Sequence, residues 1–148
     1  GADEVIDYRT EDFQAVVTEK TGGSGVDVVI DFIGGAYLER NVKSLAIGGR
    51  MVVVGLLGGT AGGTLPMDTV LYRHLQIFGT VMKSRPAEVK QAMTRRFAER
   101  WLDALANGTL RPVIDSTYPL AEAAQAHRRM ETGESVGKIL LLPESAPR

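Results

Sequence analysis

The stretch GVDVVIDFIGGAYLERNVKSLAIGGRMVVVGLL, residues 25–57, decides the fold. It reads as strand, tight turn, helix, turn and strand, which is one βαβ unit of a parallel sheet. The apolar run at 26–33 is broken only by Asp27 and Asp31, and the run at 51–57 carries no charge. Runs of this kind, rich in β-branched residues and flanked by glycine pairs, suit strands covered on both faces. Between them, residues 37–47 set Leu38, Val42, Leu45 and Ala46 on one helical stripe, with Glu39, Arg40 and Lys43 opposite. Ligands of open parallel sheets bind beyond the carboxyl ends of the strands. Two glycine-bearing mouths lie there, Asp31-Phe32-Ile33-Gly34-Gly35 and Gly55-Leu56-Leu57-Gly58-Gly59, where backbone can approach a flat or phosphorylated ligand.

Upstream of this unit, residues 4–8 (EVIDY) read as a short strand and residues 10–21 as a helix. Thr10 is its expected N-cap, Glu11 and Asp12 favour its positive end, and Phe13, Val16 and Val17 face inward. Downstream, 58–63 (GGTAGG) is a loop, 66–73 a short helix and 75–82 (LQIFGTVM) a further strand. The longest helix spans 86–107, with Val89, Ala92, Met93, Phe97, Trp101 and Leu105 inward and Asn107-Gly108 closing it. A strand at 111–118, an amphipathic helix at 120–131 and a last strand at 136–142 follow, in a texture that suggests a different layer. Alternating strands and helices give an α/β fold with a mostly parallel sheet.

At 148 residues the chain suits one domain, or a domain with a fragment of another. It opens Gly-Ala-Asp-Glu, almost directly in a strand, and reads as a piece of a longer protein. A net charge of −1 makes no case for nucleic acid or an anionic membrane. No run reaches the length of a membrane span and no signal peptide is recognisable, so a cytoplasmic setting is the default expectation. With no cysteine, a disulfide framework and a thiolate zinc site are excluded within this chain.

Several motif-like strings fail on inspection. Gly23-Ser24-Gly25 lacks a third glycine and precedes a strand, whereas a dinucleotide phosphate loop follows one. Residues 133–138 imitate a Walker loop but are one residue short, with Ile139 where magnesium needs a hydroxyl. His74 and His127 stand alone, without the spacing of a metal site or a triad. Asn107-Gly108-Thr109 is a helix stop, and Arg95, Arg96 and Arg100 form a solvated face. Asp31 either binds a ribose hydroxyl or caps the next helix through its N–H groups. Tyr8 either offers its phenol to a ligand or is a half-buried strand residue. No nucleophile, paired carboxylates or triad is visible, so any chemistry resides in a bound cofactor or in residues outside the chain.

A nucleotide-cofactor domain and a methyltransferase share the strands VDVVID and GGRMVVVG. The later elements separate them: methyltransferases usually finish with an antiparallel hairpin, but here a long helix leads to a proline-bearing strand. The succession GADEVIDYRTEDF, GVDVVIDFIGG, GGRMVVVGLLGG, LQIFGTVMKSR and RPVIDSTYPLAEAAQAHRRMETGESVGKILLL resembles the carboxyl-terminal half of the zinc-independent, zeta-crystallin-like quinone oxidoreductases. These belong to the medium-chain dehydrogenase/reductase family. The resemblance covers nearly the whole chain, and its most diagnostic part is the tail with Tyr118-Pro119-Leu120, Ala126-His127 and Gly137-Lys138.

The resemblance implies a Rossmann-like, mostly parallel sheet lacking its first βα unit over 1–110, and a segment at 111–148 that completes a GroES-like catalytic domain. It implies hydride transfer from NADPH, with NADH not excluded, to a quinone. A crotonyl-type enoyl thioester reductase and a non-enzymatic nucleotide-binding module are the alternatives. Tyr8 would lie next to the 2′-phosphate or adenosine ribose, and Phe32 would border the adenosine side. Val54, Gly55, Leu56 and Leu57 would pack on the nicotinamide side, and Thr80, Val81 and Met82 would meet the carboxamide with main-chain groups. Ser135 stands where the family commonly has asparagine, which leaves its contact with the cofactor open. No side chain here is assigned a catalytic role, and no metal ligand is assigned. The strand at 75–82 would pair with its twin in a homodimer. Alone, the chain is expected to be inactive and poorly soluble or partly molten, which a sharp thermal transition of a soluble monomer would contradict.

Overall fold

The computed structural model describes residues 1–143; residues 144–148, the end of the expected 111–148 segment, lie outside it. The chain divides into two compact units, Gly1–Pro86 and Ala87–Arg148. The first holds α1 (Phe13–Lys20), β1 (Val26–Asp31), α2 (Leu38–Lys43), β2 (Leu45–Val53), α3 (Met67–Tyr72) and β3 (Gln76–Gly79). Its strands lie in the order β1-β2-β3 and both pairings are parallel. All three strands therefore end at the same edge of the sheet.

The core is small and one-sided. Val42 of α2 and Leu45 and Met51 of β2 are fully buried, with Val26, Val29, Leu38, Val53, Val70 and Leu75 packed round them. Burying a side chain of this size stabilises by roughly 1.5–3 kcal/mol, so the cluster fixes α2 and α3 on one face of the sheet. Val28 and Ile30 point the other way along β1 and are exposed. The two-sided burial expected of this strand is not met, because both packing helices sit on the same side.

Three local expectations are overturned. Residues 4–8 form no strand. Asp7 organises a turn instead: its carbonyl accepts from the N–H groups of Thr10 and Glu11, and its carboxylate from that of Arg9. Val5, with no strand beside it, is 86% exposed. The N-cap of α1 is Asp12, whose carboxylate accepts from Gln14 N–H at 3.0 Å, while the Thr10 hydroxyl turns back to Asp7. Residues 45–47 belong to β2 rather than to the preceding helix. The Ser44 hydroxyl donates to Arg40 C=O, Val26 N–H donates to Ser44 C=O, and Leu45 pairs with Val26. Strand pairing overrides the helical periodicity there.

The second unit holds α4 (Ala87–Ala106), β4 (Ile114–Pro119), α5 (Ala123–Glu131) and β5 (Lys138–Leu142). Strands β4 and β5 pair in parallel, with α5 as the crossover. Gly108 closes α4 at φ +77°, as Asn107-Gly108 foretold. The stripe read as inward-facing on α4 is not buried: Phe97 is 53% and Trp101 46% exposed.

Candidate functional site

A groove of about 630 Å³ opens at the carboxyl edge of the first sheet. Val53, Val54, Gly55 and Leu56 wall it from the end of β2, and Gly79, Thr80, Val81, Ser84, Arg85 and Pro86 from the segment after β3. Five residues expected at the nicotinamide side, Val54, Gly55, Leu56, Thr80 and Val81, thus come together. Leu57 and Met82 follow directly in the chain, both exposed and outside the wall. The volume lies within the range of ligand clefts, and the surface is mostly apolar with a few polar groups.

Main-chain bonding decides which groups remain for a ligand. The N–H groups of Val54 and Gly55 donate to Asp31 C=O, and those of Leu57 and Gly58 to the carbonyls of Phe32 and Ile33. Thr80 N–H donates to Val53 C=O at 2.9 Å. The Thr80 N–H is thus engaged within the sheet edge. Among the described residues, the N–H groups of Leu56 and Val81 find no internal acceptor. Both residues line the groove, and a flat ring bearing an amide suits such a surface.

Asp31 caps the turn at Ile33 and Gly34, not the helix beyond it, which starts without a side-chain cap. It is 4% exposed, and its carboxylate accepts from Ile33 N–H at 2.8 Å and Gly34 N–H at 3.1 Å. Gly34 sits at φ +69° and ψ −150°, a conformation essentially reserved for glycine, which lets the chain turn under the second mouth. Gly35 is roofed by the loop at 58–63: a Cβ there would lie 2.5 Å from Ala61 O and 2.9 Å from Gly59 O. The two mouths are one interlocked surface.

A second cavity, of about 270 Å³, brings Tyr8 and Phe32 together with Phe13, Ile33, Tyr37 and Asn41 at the end of β1. Tyr8 reaches it from a turn, not from a strand end, and is exposed. Phe13 and Tyr37 stack at 5.2 Å between ring centres, and the Arg40 guanidinium lies within 5 Å of both rings. The strand order places this aromatic cavity beside β1 and the first groove beside β2 and β3.

Ser135 belongs to the second unit, in the segment leading to β5. That segment is held by side chains. Asp115 accepts from Arg129 through both oxygens, at 3.0 and 3.2 Å, and from Val136 N–H and the Ser116 hydroxyl. Arg129 also donates to Glu134 C=O and to the Glu134 carboxylate. The Arg129 guanidinium and these N–H and O–H donors hold the Asp115 carboxyl well below the usual carboxylate range.

Ser84, Arg85 and Pro86 escaped sequence reasoning. They sit between a strand end and a helix start, and the available signal was the charged run Lys83-Ser84-Arg85 directly after an apolar strand. No helix is long and apolar enough to cross a membrane among the described residues. Among the described residues there is no group of three potential metal ligands.

The chain resembles 2-haloacrylate reductase of a Burkholderia species, at 35% identity over 98% of this chain and 43% of that protein. It is 33% identical to quinone oxidoreductase of Rattus norvegicus, over 96% of this chain and 41% of the relative. A solved structure of a mycobacterial quinone oxidoreductase superposes with a TM-score of 0.77 at 29% identity, covering 97% of this chain and 44% of that one. The chain thus spans about two fifths of the length of the curated relatives it matches. The model of the zinc-binding dehydrogenase family matches residues 1–141. The chain belongs to this family, that of the medium-chain dehydrogenases and reductases.

Proposed function

We propose that the chain is the carboxyl-terminal part of an NADPH-dependent, zinc-independent quinone oxidoreductase, with NADH as the alternative donor. The observation that carries this reading is the groove in which the segments after β2 and β3 meet at one sheet edge, with Leu56 and Val81 N–H unpartnered. In this reading residues 1–110 complete a Rossmann-like domain, and 111–148 return to a GroES-like catalytic domain. The edge strand β3 pairs with its twin in a homodimer, in a cytoplasmic protein.

When bound, the dihydronicotinamide supplies a hydride, two electrons and one proton, and a proton from water completes the quinol. The chain's own residues bind and orient. Val54 and Leu56 offer apolar surface to one face of the ring, and the main chain at Leu56 and Val81 takes the carboxamide. Tyr8 and Phe32 border the adenosine side. Positioning is the contribution asked of these residues, since no side chain of the groove has a proton to exchange in the neutral range.

Reduction of an activated carbon–carbon double bond, as in an enoyl thioester, is the second reading, favoured by the likeness to a haloacrylate reductase. Steady-state NADPH oxidation by the full-length protein with a benzoquinone and with crotonyl thioester separates the two. Turnover of the quinone alone is the expected result. Cofactor binding with turnover of neither would return the chain to the class of non-enzymatic nucleotide binders. The chain by itself is expected to show no turnover.

A further inference from the structure

Among the described residues, Arg85 is the only charged one on the wall of the groove. Its guanidinium is tethered: Nη2 donates to the Thr80 hydroxyl at 2.9 Å, and its main-chain N–H donates to Met82 C=O. Among the described residues no carboxylate pairs with it, as with most arginines of the chain; what sets it apart is its place on the groove wall. A guanidinium carries five donors in a planar fork; with one engaged on Thr80, four stay without an acceptor. A fork of this kind matches the two oxygens of a carboxylate or sulfonate. Val53, Val54, Leu56 and Val81 form the apolar part of the same wall.

The strand order indicates whose anion this is. Tyr8 and Phe32 lie at the β1 mouth, and Arg85 lies beyond β3, at the other side of the sheet edge. A dinucleotide laid from the first mouth toward the third has its phosphates between them and its reacting ring near Arg85. We infer that Arg85 is a specificity-determining residue that selects electron acceptors carrying a carboxylate or sulfonate beside the reducible group. The inference rests on the reductase reading above and deepens it.

The test uses the full-length protein and 1,4-naphthoquinone paired with its 2-sulfonate. Arg85→Gln is expected to lower kcat/KM about tenfold more for the sulfonate than for the uncharged quinone, the size of a solvent-facing charge-assisted hydrogen bond. Arg85→Lys is expected to recover part of the loss. Calorimetry with 2-naphthoate, which is not reduced, is expected to show the same weakening of Kd in Arg85→Gln. Equal losses for both acceptors, or a loss confined to the KM for NADPH, would overturn the anion subsite and leave the reductase reading standing. If neither acceptor is turned over but naphthoate binding still depends on Arg85, the subsite stands and the reductase reading fails.

Discussion

At the carboxyl edge of the first sheet, residues 54–58 are held by their own main chain, hydrogen-bonded to the carbonyls of Asp31, Phe32 and Ile33. In the second unit, the segment at 134–136 is held by side chains, through Arg129 and Asp115. The first arrangement leaves side chains free to face a ligand. The second depends on charge, and on residues whose loss releases the segment. Main-chain anchoring and side-chain anchoring can thus be told apart by how each responds to perturbation.

The largest effect is expected from Asp31→Ala. It strips Ile33 and Gly34 N–H of their buried acceptor and is expected to cost about 2–3 kcal/mol, read as a lower urea midpoint for the first unit. An unchanged midpoint would mean that the first mouth does not depend on its cap. Gly35→Ala is expected to cost about 1–2 kcal/mol, because the new methyl meets Ala61 O and Gly59 O. Amide exchange should rise across residues 58–63 while the second unit stays protected.

The pH response sharpens the contrast. Because Asp115 titrates lower in the folded chain than in the unfolded one, its stabilisation is complete above the ordinary aspartate value of about 4. It is lost as the pH falls through that value toward the depressed one. Exchange at β5 should accelerate below about pH 4 and Asp115→Asn should remove the pH dependence, while β2 and β3 show neither change. The smallest effect is expected for Ser135→Ala, under about 0.5 kcal/mol on stability, since among the described residues its side chain makes no hydrogen bond. Any consequence should appear in cofactor affinity.

The βαβ unit was legible because a buried parallel strand and an amphipathic helix have different periods, and Val26, Met51 and Val42 obey them. Its borders were not. Leu45 and Ala46 satisfy a helical stripe and a strand equally well, and only pairing with β1 decides between them. Val5 and Tyr8 have the composition of a strand, but a strand exists only where a neighbour takes its hydrogen bonds, and Asp7 closes a turn instead. The site was legible as two strand mouths, since parallel topology forces them to one edge. Which N–H groups remain open could not be read, because main-chain bonding between loops leaves no trace in residue type. Arg85 was hidden for a related reason: an arginine between two elements looks like any solvated charge until the wall beside it is known.

The seating of residues 58–63 on Gly35 has a bearing on how such a groove can diversify. An inserted residue in that loop, or a side chain at position 35, would unseat both mouths at once. Changes of ligand preference are then confined to swaps of side chains around a backbone of fixed length, at 54–57 and at 80–85. A library varying those positions should retain the fold far more often than one that lengthens the glycine loop.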